Sequence, residues 1–139
     1  MNPDVFGRLL VAAVICGLGI AVYLLSNRVI LSTASNKVKR FAAYQDGYPA
    51  IVYFTTPTCA PCKTIQRPAI EKLKKRLGER LQVFEVDASR EPELAKDWGV
   101  LSVPTTFIID SDGKPRYVNH GVATAEKLFQ QLETEDYSI

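Results

Sequence analysis

Nineteen consecutive residues without a charge, 9–27, separate Arg8 from Arg28, and they include Leu9, Leu10, Val11, Val14, Ile15, Leu18, Ile20, Val22, Leu24 and Leu25. A segment this apolar must satisfy its own backbone hydrogen bonds in lipid, which restricts it to a helix. Wound as an α-helix it spans ~28 Å, close to the ~30 Å hydrocarbon core of a bilayer. Tyr23 near its end suits the membrane interface. The expectation is one transmembrane anchor that meets lipid through residues 9–27, with most of the remaining chain forming one small domain.

A cleaved signal peptide competes with that reading, because Ser32 and Ala34 are small residues spaced like a cleavage site. The apolar run is long for a signal, and Arg8, the one cationic side chain before it, is offset by Asp4, so the uncleaved anchor is preferred. Cys16 follows the bulky Ile15, where a lipoprotein signal wants a small residue, and reads as a packing residue of the span.

Beyond the span, charge excludes one class of partner. The chain has 17 Lys and Arg against 15 Asp and Glu, and no basic face stands out, so nucleic acid is not expected to bind. The run Lys72, Lys74, Lys75, Arg76 reads as the solvated side of a helix.

Cys59, Ala60, Pro61, Cys62 and Lys63 follow the apolar run Ile51, Val52, Tyr53, Phe54. The order places two thiols at the mouth of a helix directly after a buried strand. There, unpaired N–H groups and the positive end of the helix dipole stabilise a thiolate. Cys59 is then the nucleophile that opens a partner's disulfide, and Cys62 the thiol that resolves the mixed disulfide. Metal binding by the pair is not expected, since a structural zinc site takes four ligands and there is no second cysteine pair. No cofactor is needed beyond the redox-active Cys59–Cys62 pair.

Around that motif the pattern reads as a helix over 35–44, capped by Ser35, with Val38, Phe41 and Ala42 on its apolar side. A central strand over 50–55 follows, then an active-site helix over about 59–77, with Ile65, Ala69, Ile70, Leu73 and Leu77 on one face and Gly78 ending it. A strand over 81–87 leads to a short helix opened by Pro92 and closed at Trp98 and Gly99. Strands over 105–109 and 116–119 form a hairpin across Asp110, Ser111, Asp112 and Gly113. A last helix from near Thr124 buries Leu128, Phe129 and Leu132 and frays in an acidic tail at Glu133, Glu135 and Asp136.

These residues resemble the thioredoxin superfamily. Besides the Cys59–Cys62 motif, the resemblance is carried by Gly99 to Thr105, which ends in Val103-Pro104-Thr105, by Pro68 where the family kinks its active-site helix, by the Asp110–Gly113 turn, and by Gly121 after the last strand. It covers Ser35 to Leu132. It implies an α/β thioredoxin-like fold, a central mixed β-sheet flanked by helices, preceded here by the transmembrane helix. Residues 1–30 are then tail and anchor, 31–34 a linker, 35–132 the domain and 133–139 an acidic tail. The implied activity is thiol–disulfide exchange with protein thiols and disulfides. Pro104 is implied to be a cis-proline that leaves the Val103 backbone free to pair with an extended substrate. Thr58, Ala60, Pro61, Val103, Pro104, His120 and Gly121 are the implied substrate-facing residues.

The chain departs from the family pattern at three places. Thr58 replaces the tryptophan before the first active cysteine. Tyr53 and Val83 stand where thioredoxins are expected to bury an aspartate and, on the adjacent strand, a lysine, so proton transfer from Cys62 must use water or Glu85. Glu85 itself reads as a solvent-facing strand residue, and His120, the single histidine, as a hydrated strand end on the groove rim.

Arg28, Lys37, Lys39 and Arg40 follow the span and only Arg8 precedes it, so the positive-inside rule leans toward a domain on the cytoplasmic side of a bacterial membrane. The resemblance leans the other way, because many membrane-tethered thioredoxin-like proteins of bacteria face outward. A second role, as accessory subunit or assembly factor of a larger membrane complex, would use Gly7, Gly17 and Gly19 for close helix packing and the domain for docking.

Overall fold

The computed structural model describes residues 3–34, 37–41 and 43–136, so the expected Ser35 cap and the Ala42 contact lie outside the described residues. The chain divides into two units, 1–30 and 31–139. Helix α1 runs Pro3–Ala34 and takes in residues 31–34, expected to be a linker. The segment Val5–Ser32 has 28 residues, and its large apolar side chains from Val5 to Val29 are exposed. At 1.5 Å per residue that stretch is ~42 Å long, enough to cross a bilayer with tilt.

In the second unit a four-stranded sheet has the order β2-β1-β3-β4. Strand β1 (Ala50–Thr55) is parallel to β2 (Gln82–Asp87) and antiparallel to β3 (Thr105–Ile109), which pairs antiparallel with β4 (Pro115–His120). Every residue of β1 and β3 is buried, as their branched and aromatic composition requires of strands covered on both faces. Helices α2 (Arg67–Leu77) and α4 (Ala125–Asp136) cover one face with Ile70, Leu73, Leu128 and Leu132, over Ile51, Tyr53 and Ile108. The other face carries an aromatic cluster. Trp98, just after α3 (Pro92–Asp97), meets Phe107 edge-on at 5.0 Å and Phe54 at 5.8 Å.

Four expectations need correction. The helix over 35–44 is reduced among the described residues to a 3-10 turn, Val38–Arg40. Val38 is buried and Phe41 takes an extended backbone that stacks its ring on Phe84 at 4.9 Å, so two point contacts, not a helical face, hold the segment. The active-site helix is not uniform either. Residues Cys62–Gln66 form a π turn, with Arg67 N–H donating to the Cys62 carbonyl. Pro68 has no N–H to offer the preceding turn, and the wide turn absorbs that break. Its consequence is that Ile65, expected on the buried face, is 51% exposed, while Gln66 is fully buried.

The register of the sheet supplies the third correction: Ile51 lies opposite Val83, and the neighbour of Tyr53 on the adjacent strand is Glu85. Side chains alternate along a strand, so a two-residue shift keeps the face but changes the neighbour. Finally, α4 continues through Glu133 to Asp136, so these acidic residues, expected beyond the helix, are part of it. The hairpin after β3 turns at Gly113, where φ is +80° and an added Cβ would lie 2.9 Å from the Tyr44 hydroxyl.

Candidate active site

The end of β1 delivers Cys59 to the start of a helix. Cys59 N–H donates to the Thr56 carbonyl at 3.2 Å, and helical winding begins at Ala60. Cys59 therefore occupies the N-cap, and the Cys62 N–H donates to its Sγ at 3.2 Å. A side chain that accepts from the third residue of a helix is an N-cap interaction, here made by sulfur. The same N–H and the helix's positive end favour negative charge on Sγ once the disulfide opens. In this structure Cys59 and Cys62 are disulfide-bonded, with Cα atoms 5.3 Å apart. The two sulfurs differ in access, since Cys59 is 9% exposed and Cys62 wholly buried.

Tyr53 lies beneath the pair. Its hydroxyl donates to the Cys62 carbonyl at 3.1 Å, so that carbonyl accepts from both Tyr53 and Arg67. Burial is the main cause that pushes the Tyr53 phenol above the ordinary tyrosine range, with the nearby Glu85 carboxylate adding to it. Beside Tyr53 a cavity of about 270 Å³ is rimmed by Arg67, Glu71, Lys74, Val83 and Glu85. Glu85 forms an ion pair with Arg67 of α2 at 2.6 Å, and its side chain is exposed.

The structure brings the sequence-predicted residues to two places. Thr58, Ala60 and Pro61 are exposed around the disulfide. Val103 and Pro104 are joined by a cis peptide bond, Pro104 is buried, and its carbonyl accepts from Gly121 N–H at 2.8 Å. His120 pairs with Thr105 in the β3–β4 register and its side chain is exposed, so it and Gly121 adjoin the cis-proline loop. Next to Val103 an open cavity of about 420 Å³ is lined by Thr56, Ala88, Pro92, Ala95 and Val100, and Leu101 beside it is 91% exposed. Sequence reasoning missed Leu101, the Tyr53 hydroxyl and Gln66. Gln66 was within reach of it, because it stands four residues from both Cys62 and Ile70 and so continues their inward-facing row.

A dithiol pair at a helix start, in a core cluster against which Val103 of the cis-proline loop packs, defines a redox-active disulfide domain. The chain belongs to the thioredoxin family, whose model matches residues 32–134. It is similar to the thioredoxin of Borreliella burgdorferi, 35% identical over 74 residues that cover 53% of this chain and 62% of that protein. The chloroplastic thioredoxin Y of Oryza sativa is 31% identical over 86 residues, 62% of this chain and 50% of its own. The chain thus spans between 50% and 62% of the length of these two relatives. The X-ray structure of Fasciola hepatica thioredoxin superposes with a TM-score of 0.57 at 29% identity, over 65% of this chain and 83% of that one.

Proposed function

We propose that this protein is a membrane-anchored thiol–disulfide oxidoreductase that exchanges disulfides with other proteins. The observation that carries the reading is Cys59, the more accessible sulfur, placed at a helix N-cap with the Cys62 N–H on its Sγ at 3.2 Å. In the reducing direction the Cys59 thiolate attacks a partner's disulfide and one partner sulfur leaves as a thiolate, which takes up a proton. Cys62 then loses its proton and attacks the Cys59 sulfur of the mixed disulfide. The partner departs with two thiols, and Cys59–Cys62 is left oxidised, to be reduced by a dithiol donor. The oxidising direction is the same sequence reversed. The largely apolar cavity lined by Val103 suits an extended polypeptide.

Full-length Cys62→Ser protein should accumulate mixed disulfides with partner proteins, released by dithiothreitol, whereas Cys59→Ser should not. The reverse pattern would exchange the two roles, and no adduct with either variant would sink the reading. The anchor rests on the 28-residue segment Val5–Ser32, which holds the nineteen uncharged residues between Arg8 and Arg28. It requires the chain to stay with membranes through an alkaline wash, and a mature chain starting near residue 35 would establish a cleaved signal instead. The cations that follow the span favour a cytoplasmic domain, and a reporter fused after Ile139 that is active only when translocated would overturn that placement.

A further inference from the structure

Gln66 is wholly buried and uses both ends of its carboxamide on one residue. Its Nε2 donates to the Ala123 carbonyl at 3.2 Å, and its Oε1 accepts from the Ala123 N–H at 2.8 Å. This is the two-point pairing that one strand offers another, made here by a side chain from the π turn that also carries Cys62. Ala123 is 1% exposed, so both of its backbone groups are cut off from water and depend on this partner. Two residues earlier, Gly121 N–H donates to the Pro104 carbonyl at 2.8 Å. The path from Cys62 through Gln66, Ala123 and Gly121 to Pro104 therefore joins the cysteine-bearing turn to the cis-proline loop, and no link in it involves a sulfur.

Thiol–disulfide exchange displaces one sulfur by another along the axis of the bond that breaks, so the partner's disulfide must be presented to Cys59 from a fixed direction. A misplacement on the order of 1 Å is enough to cost much of the rate of such a step. We infer that Gln66 is a positioning residue for exchange with protein substrates: it holds the 121–123 wall of the groove in register with the dithiol, so that a docked polypeptide meets Cys59 in line. The inference rests on the oxidoreductase reading above. Gln66 touches neither substrate nor reacting sulfur, and it acts through Ala123.

The test sets a substrate that needs the groove against one that does not, using the full-length chain in detergent micelles. Insulin disulfide reduction supplies KM and kcat, and the pre-reduced protein reacted with dithiodipyridine reports the bare dithiol. Gln66→Met keeps the volume but leaves both Ala123 groups unpaired. It should lower the insulin kcat/KM by about tenfold, while the dithiodipyridine rate changes by less than about twofold. Gln66→Glu keeps an acceptor for the Ala123 N–H and, when ionised, loses the donor to its carbonyl, so its kcat/KM should fall between wild type and Gln66→Met. A folded variant with the wild-type insulin kcat/KM, or one in which both rates fall together, would overturn the inference. If Gln66→Met does not fold, Gln66→Glu decides by the same criteria. A wild-type protein inert toward both disulfides would instead fail the oxidoreductase reading, and this inference with it.

Discussion

The two faces of the sheet are built on different principles. On one, Phe54, Trp98 and Phe107 interlock with ring centroids 5.0–5.9 Å apart, and Phe41 stacks on Phe84. That face is held by shape and area, and the Trp98 Nε1–H is buried with no hydrogen-bond partner among the described residues. On the other face two buried polar side chains reach backbone groups, Tyr53 the Cys62 carbonyl and Gln66 both groups of Ala123, while the Thr106 hydroxyl opposite Tyr53 is buried with no hydrogen-bond partner among the described residues. Apolar packing is non-directional and supplies stability, whereas hydrogen bonds fix distance and angle and so locate the dithiol. Both faces are packed with apolar side chains, and the side chains that fix the dithiol, Tyr53 and Gln66, lie on the face covered by α2 and α4.

If that division holds, Trp98→Ala should be the most damaging of these substitutions, costing about 3–5 kcal/mol through the cavity it opens. Thermal unfolding would measure the loss. At temperatures where the variant stays folded, Cys59 should still be alkylated ahead of Cys62 near neutral pH. Altered order of labelling in folded Trp98→Ala protein would show that the aromatic face shapes the site as well.

Tyr53→Phe is smaller and acts on the other side. The Cys62 carbonyl keeps the Arg67 N–H, so the lost hydroxyl bond should cost about 1 kcal/mol or less. The change should also alter the response to alkali. Burial raises the Tyr53 pKa above its unfolded value, so its contribution is fully present below the ordinary tyrosine pKa of about 10 and is lost as pH rises through the folded value. Tyr53→Phe should therefore narrow the gap between the melting temperatures at neutral and strongly alkaline pH. A residual gap is expected from Tyr44, whose phenol is likewise raised by burial and by the carboxylates of Asp46, Asp110 and Asp112. An unchanged gap would show that Tyr53 does not report on the buried face.

The smallest effect belongs to the rim. Arg67 and Glu85 pair at 2.6 Å, but both are more than two-fifths exposed, so Glu85→Gln should cost about 1 kcal/mol or less and less still at high salt. Insulin reduction by Glu85→Gln should match wild type if water alone takes the Cys62 proton. A fall in rate near neutral pH, without a fall in stability, would make Glu85 part of the proton route and move the boundary between geometry and solvent.

Much of this molecule was legible from local pattern. The nineteen uncharged residues between Arg8 and Arg28 specify a helix long and apolar enough to cross a membrane, and the branched runs at 50–55 and 105–109 specify buried strands through their composition alone. Cys59 and Cys62 declare their chemistry by spacing, since three residues of helix set two sulfurs on one turn. What tertiary structure decided is everything that depends on a partner distant in the chain. Phe41 leaves its helix for Phe84, Tyr53 finds Glu85 and not Val83 beside it, and Gln66 turns inward to a residue 57 positions away. The physical reason is that helix and strand periods are carried by neighbours along the chain, whereas register, the π turn before Pro68 and the direction of a buried carboxamide are settled by which backbone groups remain to be paired once the elements have packed.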